Sequence, residues 1–418
     1  MKFSKLTSAL LMAAAVGIAA APLSSAIAAP DAAKIAERKA KKSQAVGEKA
    51  GKAIAKAFEL YNAGDVKGAI ALLEPVQPTA DFDKAYVWRF LGQMLIEKDQ
   101  NRALSLMEKA AKLDVLSFND QRDLLRTVAD VNTAAGNWQK ALDFYNKWMD
   151  FTGEKDATVE LRIANCYYQM KQFAKVIAPA DRAIAALPKP SKDPYTMKFA
   201  AYYELKQIKK AIEVLETLLT LFPAEKQNWV YLGQFYLMDE QPEKALAIFD
   251  LAYKQGLLKS ENEIKNLANL YNQGNLPYYA ASLLEKHMNA GLLKKDRTNL
   301  TSIATSYNAS REFAKSAKYF GILGELEKDG DAYRRQGDSL TMIDKHGDAI
   351  VAFNKALDLG VKERGKVHAS MIGAYFYQGK MREAHQQVQL ARQHGQEKIA
   401  NSWAGWVKER AEKKGIKL

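Results

Sequence analysis

Small residues recur along this chain of 418 residues at a near-constant interval: Ala69, Ala103, Ala141, Val176, Ala211, Ala245, Ala280, Ser316, Ala349 and Ala384, separated by gaps of 33 to 38 residues. A period of this length, held over ten copies, marks one supersecondary unit repeated in series. A single unit cannot cover its own apolar face, so neighbouring copies must stack on one another. The length alone suggests two or three globular domains. The repeat overrides that expectation, because it uses nearly the whole sequence and leaves no stretch for a separate catalytic domain.

Within one unit, "NWVYLGQFYLMDEQPEKALAIFDLAY" (228–253), Trp229, Leu232, Tyr236 and Leu237 fall on one helical stripe. The polar run "MDEQPEK" interrupts it. Pro242 suits the first turn of a second helix, and Glu240 and Glu243 suit the positive end of its dipole. Ala245, Phe249 and Ala252 then make the second stripe. Gly233 and Ala245 have almost no side chain, so two helices can approach closely there while Tyr236 and Phe249 fill the space around them. Other positions repeat too. Gly64, Gly136, Gly274 and Gly379 lie near the break, Trp138, Phe173 and Phe313 stand three residues before their anchor, and Tyr145, Phe249, Phe320 and Phe353 stand four after it. Pro188 and Pro223 close their units.

Trp229, Leu232, Gly233, Tyr236, Ala245, Phe249 and Ala252 resemble the signature of the tetratricopeptide repeat (TPR); Leu257 stands where the family's closing proline would be. The unit anchored on Ala211 is looser, with Lys198 and Phe199 at the Leu-Gly positions, and the period drifts near 104–140. The resemblance implies an all-α chain, an α-solenoid of about ten TPR-like helix-turn-helix repeats forming a superhelix, over residues 50–395. A second resemblance rests on "KALDFYNKWMDFTGEKDATVELRIANCYYQMKQF" and "PYTMKFAAYYELKQIKKAIEVLETL". These are similar to periplasmic TPR proteins encoded beside TonB–ExbB–ExbD systems of marine gammaproteobacteria. That resemblance implies a TonB-type protein or its complex as partner, and a role in iron or haem uptake.

Four segments follow. Residues 1–28 read as a cleavable signal peptide: Lys2 and Lys5 precede an apolar run that ends at Ala26-Ile27-Ala28, the small-x-small pattern for cleavage. The alternative is an uncleaved anchor, for which the run, broken by Gly17 and Pro22, is marginal. There is no Cys near its end, so a lipidated terminus is not expected, and the mature chain is expected in the periplasm. Residues 29–49 form a basic Ala/Lys-rich lead-in with little to bury, expected to be a frayed helix. Residues 50–395 are the solenoid. Residues 396–418 carry Ile399, Trp403, Trp406 and Val407 and then turn strongly charged, as a terminal capping helix requires. The alternative for the two tryptophans is an aromatic docking patch.

The net charge of +13 does not point to nucleic acid, because both ends hold most of it and the repeats are left with only +3. The basic ends read as solvated faces, touching an anionic membrane surface at most peripherally. Cys166 is the only cysteine, so it has no internal disulfide partner; beside Ala164 and Tyr167 it reads as a buried packing residue. His287, His346, His368, His385 and His394 show no metal-ligand spacing, and no nucleophile elbow, phosphate loop or Cys/His pair is present. "GDAYRRQGD" (330–338) reads as helix, and the spacing of Asp331 and Asp338 as one solvated face. No enzymatic activity and no cofactor or metal is expected.

The TPR resemblance implies that the first helix of each hairpin lines a concave surface. The positions that point away from its packing stripe are Asn165, Tyr168 and Gln169; Gln234 and Met238; Asn269, Asn272 and Gln273; Thr305 and Asn308; and Arg334 and Asp338. Side-chain amides both donate and accept, which suits the unpaired backbone of an extended peptide or protein segment. The competing reading is that Asn and Gln are simply tolerated on a wet surface. Tyr168, Tyr203, Leu237, Met238, Phe376 and Tyr377 allow an apolar, chaperone-like groove instead.

Overall fold

Pro242 opens a helix where the sequence places it, and the same two-helix pattern fills the chain. The computed structural model describes residues 31–41 and 44–418; the expected signal peptide lies outside them. Among the described residues there are 22 α-helices and no strand, so the chain is an all-α helical repeat protein. After α1 (Ala32–Ala40) come ten hairpins. The first five are α2 (Glu48–Asn62) with α3 (Val66–Leu73), α4 (Asp81–Leu95) with α5 (Gln100–Leu113), α6 (Phe118–Ala134) with α7 (Trp138–Thr152), α8 (Ala157–Gln169) with α9 (Ile177–Ala186), and α10 (Lys192–Glu204) with α11 (Ile208–Leu221). The other five are α12 (Lys226–Met238) with α13 (Pro242–Lys254), α14 (Glu261–Gln273) with α15 (Pro277–Asn289), α16 (Arg297–Ala309) with α17 (Phe313–Glu327), α18 (Gly330–Thr341) with α19 (His346–Asp358), and α20 (Arg364–Tyr377) with α21 (Met381–Gln393). Helix α22 (Glu397–Lys413) ends the chain.

Each anchor lies early in the second helical arm of its hairpin, and all ten have no exposed surface. Anything larger there would separate the two helices. The turn between the arms has a second fixed feature. Five residues before the anchor the backbone is left-handed in nine of the ten hairpins: Gly64, Gly136, Lys171, Lys206, Glu240, Asn275, Arg311, Asp344 and Gly379. Gly274, also near the break, is not the left-handed residue of its turn: that conformation falls on Asn275, and Gly274 has φ −78°. The drift near 104–140 comes from a longer first helix, since α6 has 17 residues where α12, α14 and α16 have 13. In the fourth hairpin a 3-10 turn, Phe173–Val176, leads into α9, whose Pro179 is confined to its first turn.

The chain divides into two compact units, the first ending at Leu221 and the second running from Phe222 to Leu418. The first is built on a core from Ala57 to Cys166 that includes Met107, Leu124, Tyr145 and Trp148, with Cys166 fully buried as expected. A smaller cluster of Ala164, Val176 and Ala201 serves its last two hairpins. Helix α10 buries only Pro194 and Ala201, in line with its loose match to the repeat. Helix α1 is better anchored than its composition suggests. It buries no residue, yet Lys41 Nζ donates to Asp114 O at 2.9 Å and Arg38 Nη1 to Asp150 O at 2.8 Å, while Arg38 lies over Phe151 and Lys39 over Phe118. These carbonyls stand at or near the C-terminal ends of α5 and α7, where unpaired acceptors and the helix dipole favour cations.

The second unit repeats a polar clamp between hairpins. Tyr271, nine residues before its anchor, donates to Asp250, five residues after the preceding anchor, at 2.5 Å. Tyr307 and Glu285 occupy the same two positions one hairpin later and are also bonded, and Tyr319 donates to the other oxygen of Glu285 at 2.5 Å. Burial and these carboxylates push all three tyrosine hydroxyls above their ordinary range. At the end of the unit, Ala400 and Val407 of α22 join the buried cluster of the last hairpin, and Ala411 is also buried.

Candidate functional site

In the second unit a pair of residues, eight and seven before the anchor, stands at the C-terminal end of each first helix, α12, α14, α16, α18 and α20; most are exposed, while Thr341 is half-buried and Phe376 packs on the last core cluster. In order these pairs are Leu237 and Met238, Asn272 and Gln273, Asn308 and Ala309, Thr341 and Met342, and Phe376 and Tyr377. The row is apolar at both ends, where Met238, Met342 and Tyr377 are 54, 62 and 66 % exposed, and carries amides in the middle.

Hydrogen bonds tie successive first helices together. Ser306 Oγ on α16 donates to Asn272 Oδ1 on α14 at 3.1 Å, and Asn308 Nδ2 donates to Ser339 Oγ on α18 at 3.2 Å. Ser370 Oγ on α20 donates to Asp338 Oδ1 on α18 at 3.3 Å. Ser339 is fully buried and shares a 3.1 Å contact with the anchor Ser316. The sequence reading missed Ser306, Ser339 and Ser370. The first two share one register, ten residues before the anchor, where Phe235 and Leu270 stand in other hairpins; a small polar residue in that apolar column was the available signal.

The twelve expected groove residues sort themselves clearly. Asn165, Tyr168 and Gln169 belong to the first unit and the rest to the second. Gln169 Nε2 donates to Asn165 Oδ1 at 3.4 Å, and Tyr168 is half-buried edge-on to Phe173, so it is a wall and not a free contact. Gln234, Met238, Asn269 and Gln273 are exposed. Asn272 and Asn308 are exposed but each uses half of its amide between helices. Thr305 turns its hydroxyl back to Thr301 O at 2.7 Å, which withdraws it from the groove. Arg334 and Asp338 pair at 2.8 Å, with Asp331 3.6 Å from the same guanidinium. The two carboxylates share one partly exposed face, bridged by Arg334, and burial raises the Asp338 carboxyl against the opposing pull of Arg334 and Ser370.

The histidines are packing or surface residues. His287 bonds Tyr253 at 3.0 Å, buried His368 bonds Gln387 at 2.7 Å, and His346 stacks on Tyr377. Among the described residues no cluster of three His, Cys, Asp or Glu could hold a metal, and no helix is long and apolar enough to cross a membrane.

No family model matches the chain. Over 166 residues it is 25% identical to the TPR repeat-containing protein YpiA of Bacillus subtilis, a match that covers 38% of this chain and 37% of that protein. A tetratricopeptide repeat protein from Parabacteroides merdae is 15% identical, over 62% of this chain and 99% of that one, with a TM-score of 0.35. YrrB, a TPR protein with an unusual peptide-binding site, is 17% identical over 42% of this chain and 88% of that one, with a TM-score of 0.31. The chain is thus similar to TPR repeat proteins in sequence, over little more than a third of YpiA's length.

Proposed function

We propose that this chain is a protein-interaction scaffold whose second unit binds an extended segment of a partner protein across its first helices. The observation that carries the reading is the row of amides on helices already tied to one another. Asn272 accepts from Ser306 and so keeps its Nδ2 to donate; Asn308 donates to Ser339 and so keeps its Oδ1 to accept. An extended backbone presents the matching acceptor and donor. Exposed Asn269, Gln273 and Gln234 add further amides, Met238 and Tyr377 give apolar contacts at the ends, and Arg334 with Asp338 adds a charged step. In the first unit, Asn165 and Gln169 would make a smaller contact of the same kind.

The partner proposed is a TonB-type protein or its associated complex, and the compartment the periplasm. Supporting this are the signal-like residues 1–28 and the resemblance carried by residues 140–173 and 194–218. The role would be to assist TonB-dependent energy transduction in iron or haem uptake. A second reading, an envelope-assembly chaperone or an adaptor for secretion, pilus or peptidoglycan machinery, is favoured by the exposed Leu237, Met238, Met342 and Tyr377. Suppressing aggregation of unrelated unfolded proteins would distinguish it.

The test is periplasmic crosslinking followed by identification of captured proteins, with and without the combined changes Asn269→Ala, Asn272→Ala and Asn308→Ala. Loss of one specific partner, with the helical circular dichroism intact, is expected. Undiminished capture by the folded variant removes this groove from the mechanism.

A further inference from the structure

An open cleft of about 440 Å³ lies at the C-terminal end of the second unit, between the last first helix, α20, and helix α22. Its size falls in the range of small-ligand clefts, roughly 300–1,000 Å³. Its walls are aromatic and held in place. Trp403 meets Phe376 and Tyr377 edge to face, with centroids 5.5 and 6.2 Å apart, and His346 backs Tyr377 in a 5.1 Å stack.

The capping role does not explain all of this. Ala400, Val407 and Ala411 make the cap, whereas Trp406 lines the cavity and is 65 % exposed. The charges at its rim are also uneven. Glu409 and Lys413 neutralise each other at 2.5 Å, but Arg410 lies 5.9 Å over the Phe376 ring with no carboxylate paired to it among the described residues. A guanidinium held on an aromatic face keeps its donor fork for a planar anion. Residues 397–418 carry six basic against three acidic side chains, so the field around the cavity is positive.

We infer that this cavity is a second docking site, adjoining the C-terminal end of the first-helix groove through Phe376 and Tyr377 but distinct from its amides, for an acidic peptide segment of a partner protein. An aromatic side chain of the peptide sits among Phe376, Trp403 and Trp406, and a neighbouring carboxylate pairs with Arg410. A cationic ligand would meet Arg410 and the basic tail as like charges. A lipid surface would find little to hold, because the apolar face of α22 is turned onto the last hairpin and only Ile399 and Trp406 project outward.

The probe is a fluorescein-labelled acidic pentapeptide with a central phenylalanine, titrated with the full chain and followed by anisotropy. Trp406→Ala and Arg410→Gln, each checked for unchanged helical circular dichroism, are expected to weaken binding about tenfold or more, as is a central alanine in the peptide. The groove variant carrying Asn269→Ala, Asn272→Ala and Asn308→Ala is expected to bind as the unaltered chain does, so the two sites succeed or fail separately. Three results overturn the inference. One is no binding of the probe by the unaltered chain. Another is equal binding of the alanine-centred peptide, which would reduce the effect to the charge of the tail. The last is capture by phosphatidylglycerol vesicles that depends on Trp406 while the peptide is ignored, which would make the patch a lipid contact.

Discussion

Gly337→Ala tests whether the close approach of two helices is what the repeated small residues provide. Gly337 is buried on α18, twelve residues before the anchor Ala349, in the register of Gly233. A Cβ added there would lie 2.5, 2.7 and 2.8 Å from three ring carbons of Phe353. Carbon atoms prefer about 3.5–4.0 Å, so the ring would have to retreat by roughly 1 Å. Phe353 is fully buried and has nowhere to go. Overpacking of this kind costs about 1–3 kcal/mol, against a gain of about 1 kcal/mol from replacing glycine inside a helix. Gly405 on α22 has nothing within 4 Å of such a Cβ, so Gly405→Ala isolates the favourable contribution. The assay is hydrogen exchange by mass spectrometry on the full chain, which reads local opening and does not require the array to unfold in one step. Peptides from α18 and α19 should exchange about fivefold faster in Gly337→Ala, corresponding to a net loss of about 1 kcal/mol. Those from α22 should slow in Gly405→Ala. Combining Gly337→Ala with Phe353→Leu should cost less than the sum of the two changes by about 0.5 kcal/mol or more, because the smaller side chain makes room. If α18 in Gly337→Ala exchanges no faster than in the unaltered chain, close helix approach is not what the small residue secures.

Glu263 closes a capping box with Ser260 and receives Lys226 Nζ at 2.5 Å and the backbone N–H groups of Lys259 and Ser260 at 2.9 Å. Burial would raise its carboxyl, but these donors outweigh it and hold the pKa at about 2. A depressed folded-state value means the stabilisation is present above about pH 4.5 and is lost as the pH falls toward 2; it is worth about 1–3 kcal/mol at pH 7. The stability difference between the unaltered chain and Glu263→Gln should therefore shrink across that window in urea titrations, and a pH-independent difference would contradict the assignment. Cys166 is fully buried, and burial pushes its thiol up to about 11. At pH 8 the native chain should react with a disulfide reagent at least about a hundredfold more slowly than the urea-unfolded chain, because only the thiolate attacks; comparable rates would show the thiol to be accessible.

Much of this fold could be read from residue spacing. All ten anchors, aligned on the small residue of the second helix, are fully buried, including the two that are not alanine, Val176 and Ser316. The hairpin turn was legible only where glycine stood in it. Lys171, Lys206, Glu240, Arg311 and Asp344 adopt the same left-handed backbone with no sequence signal, since its cost of about 1–2 kcal/mol is small against the packing of a whole hairpin. The groove positions were legible as exposure: helical period turned Asn269, Gln273 and Gln234 outward, but it gave no hint that Thr305 bonds its own helix or that Asn272 and Asn308 reach across to neighbours. The lead-in buries nothing, as its composition implies, but composition does not say which carbonyls its cations reach.

Sequence by itself determined the hairpin, its register and its number of copies, because the 3.6-residue turn and the need for a small residue where two helices meet act on neighbours in the chain. The tertiary structure decided what each exposed side chain does. Ser306 and Asn272 stand 34 residues apart, Tyr319 and Glu285 also 34, and Arg38 and Asp150 112 apart. The 3.6-residue helical turn does not bring such groups within hydrogen-bond distance; the stacking of one hairpin on the next does, and it sets which polar groups are occupied and which remain for a partner.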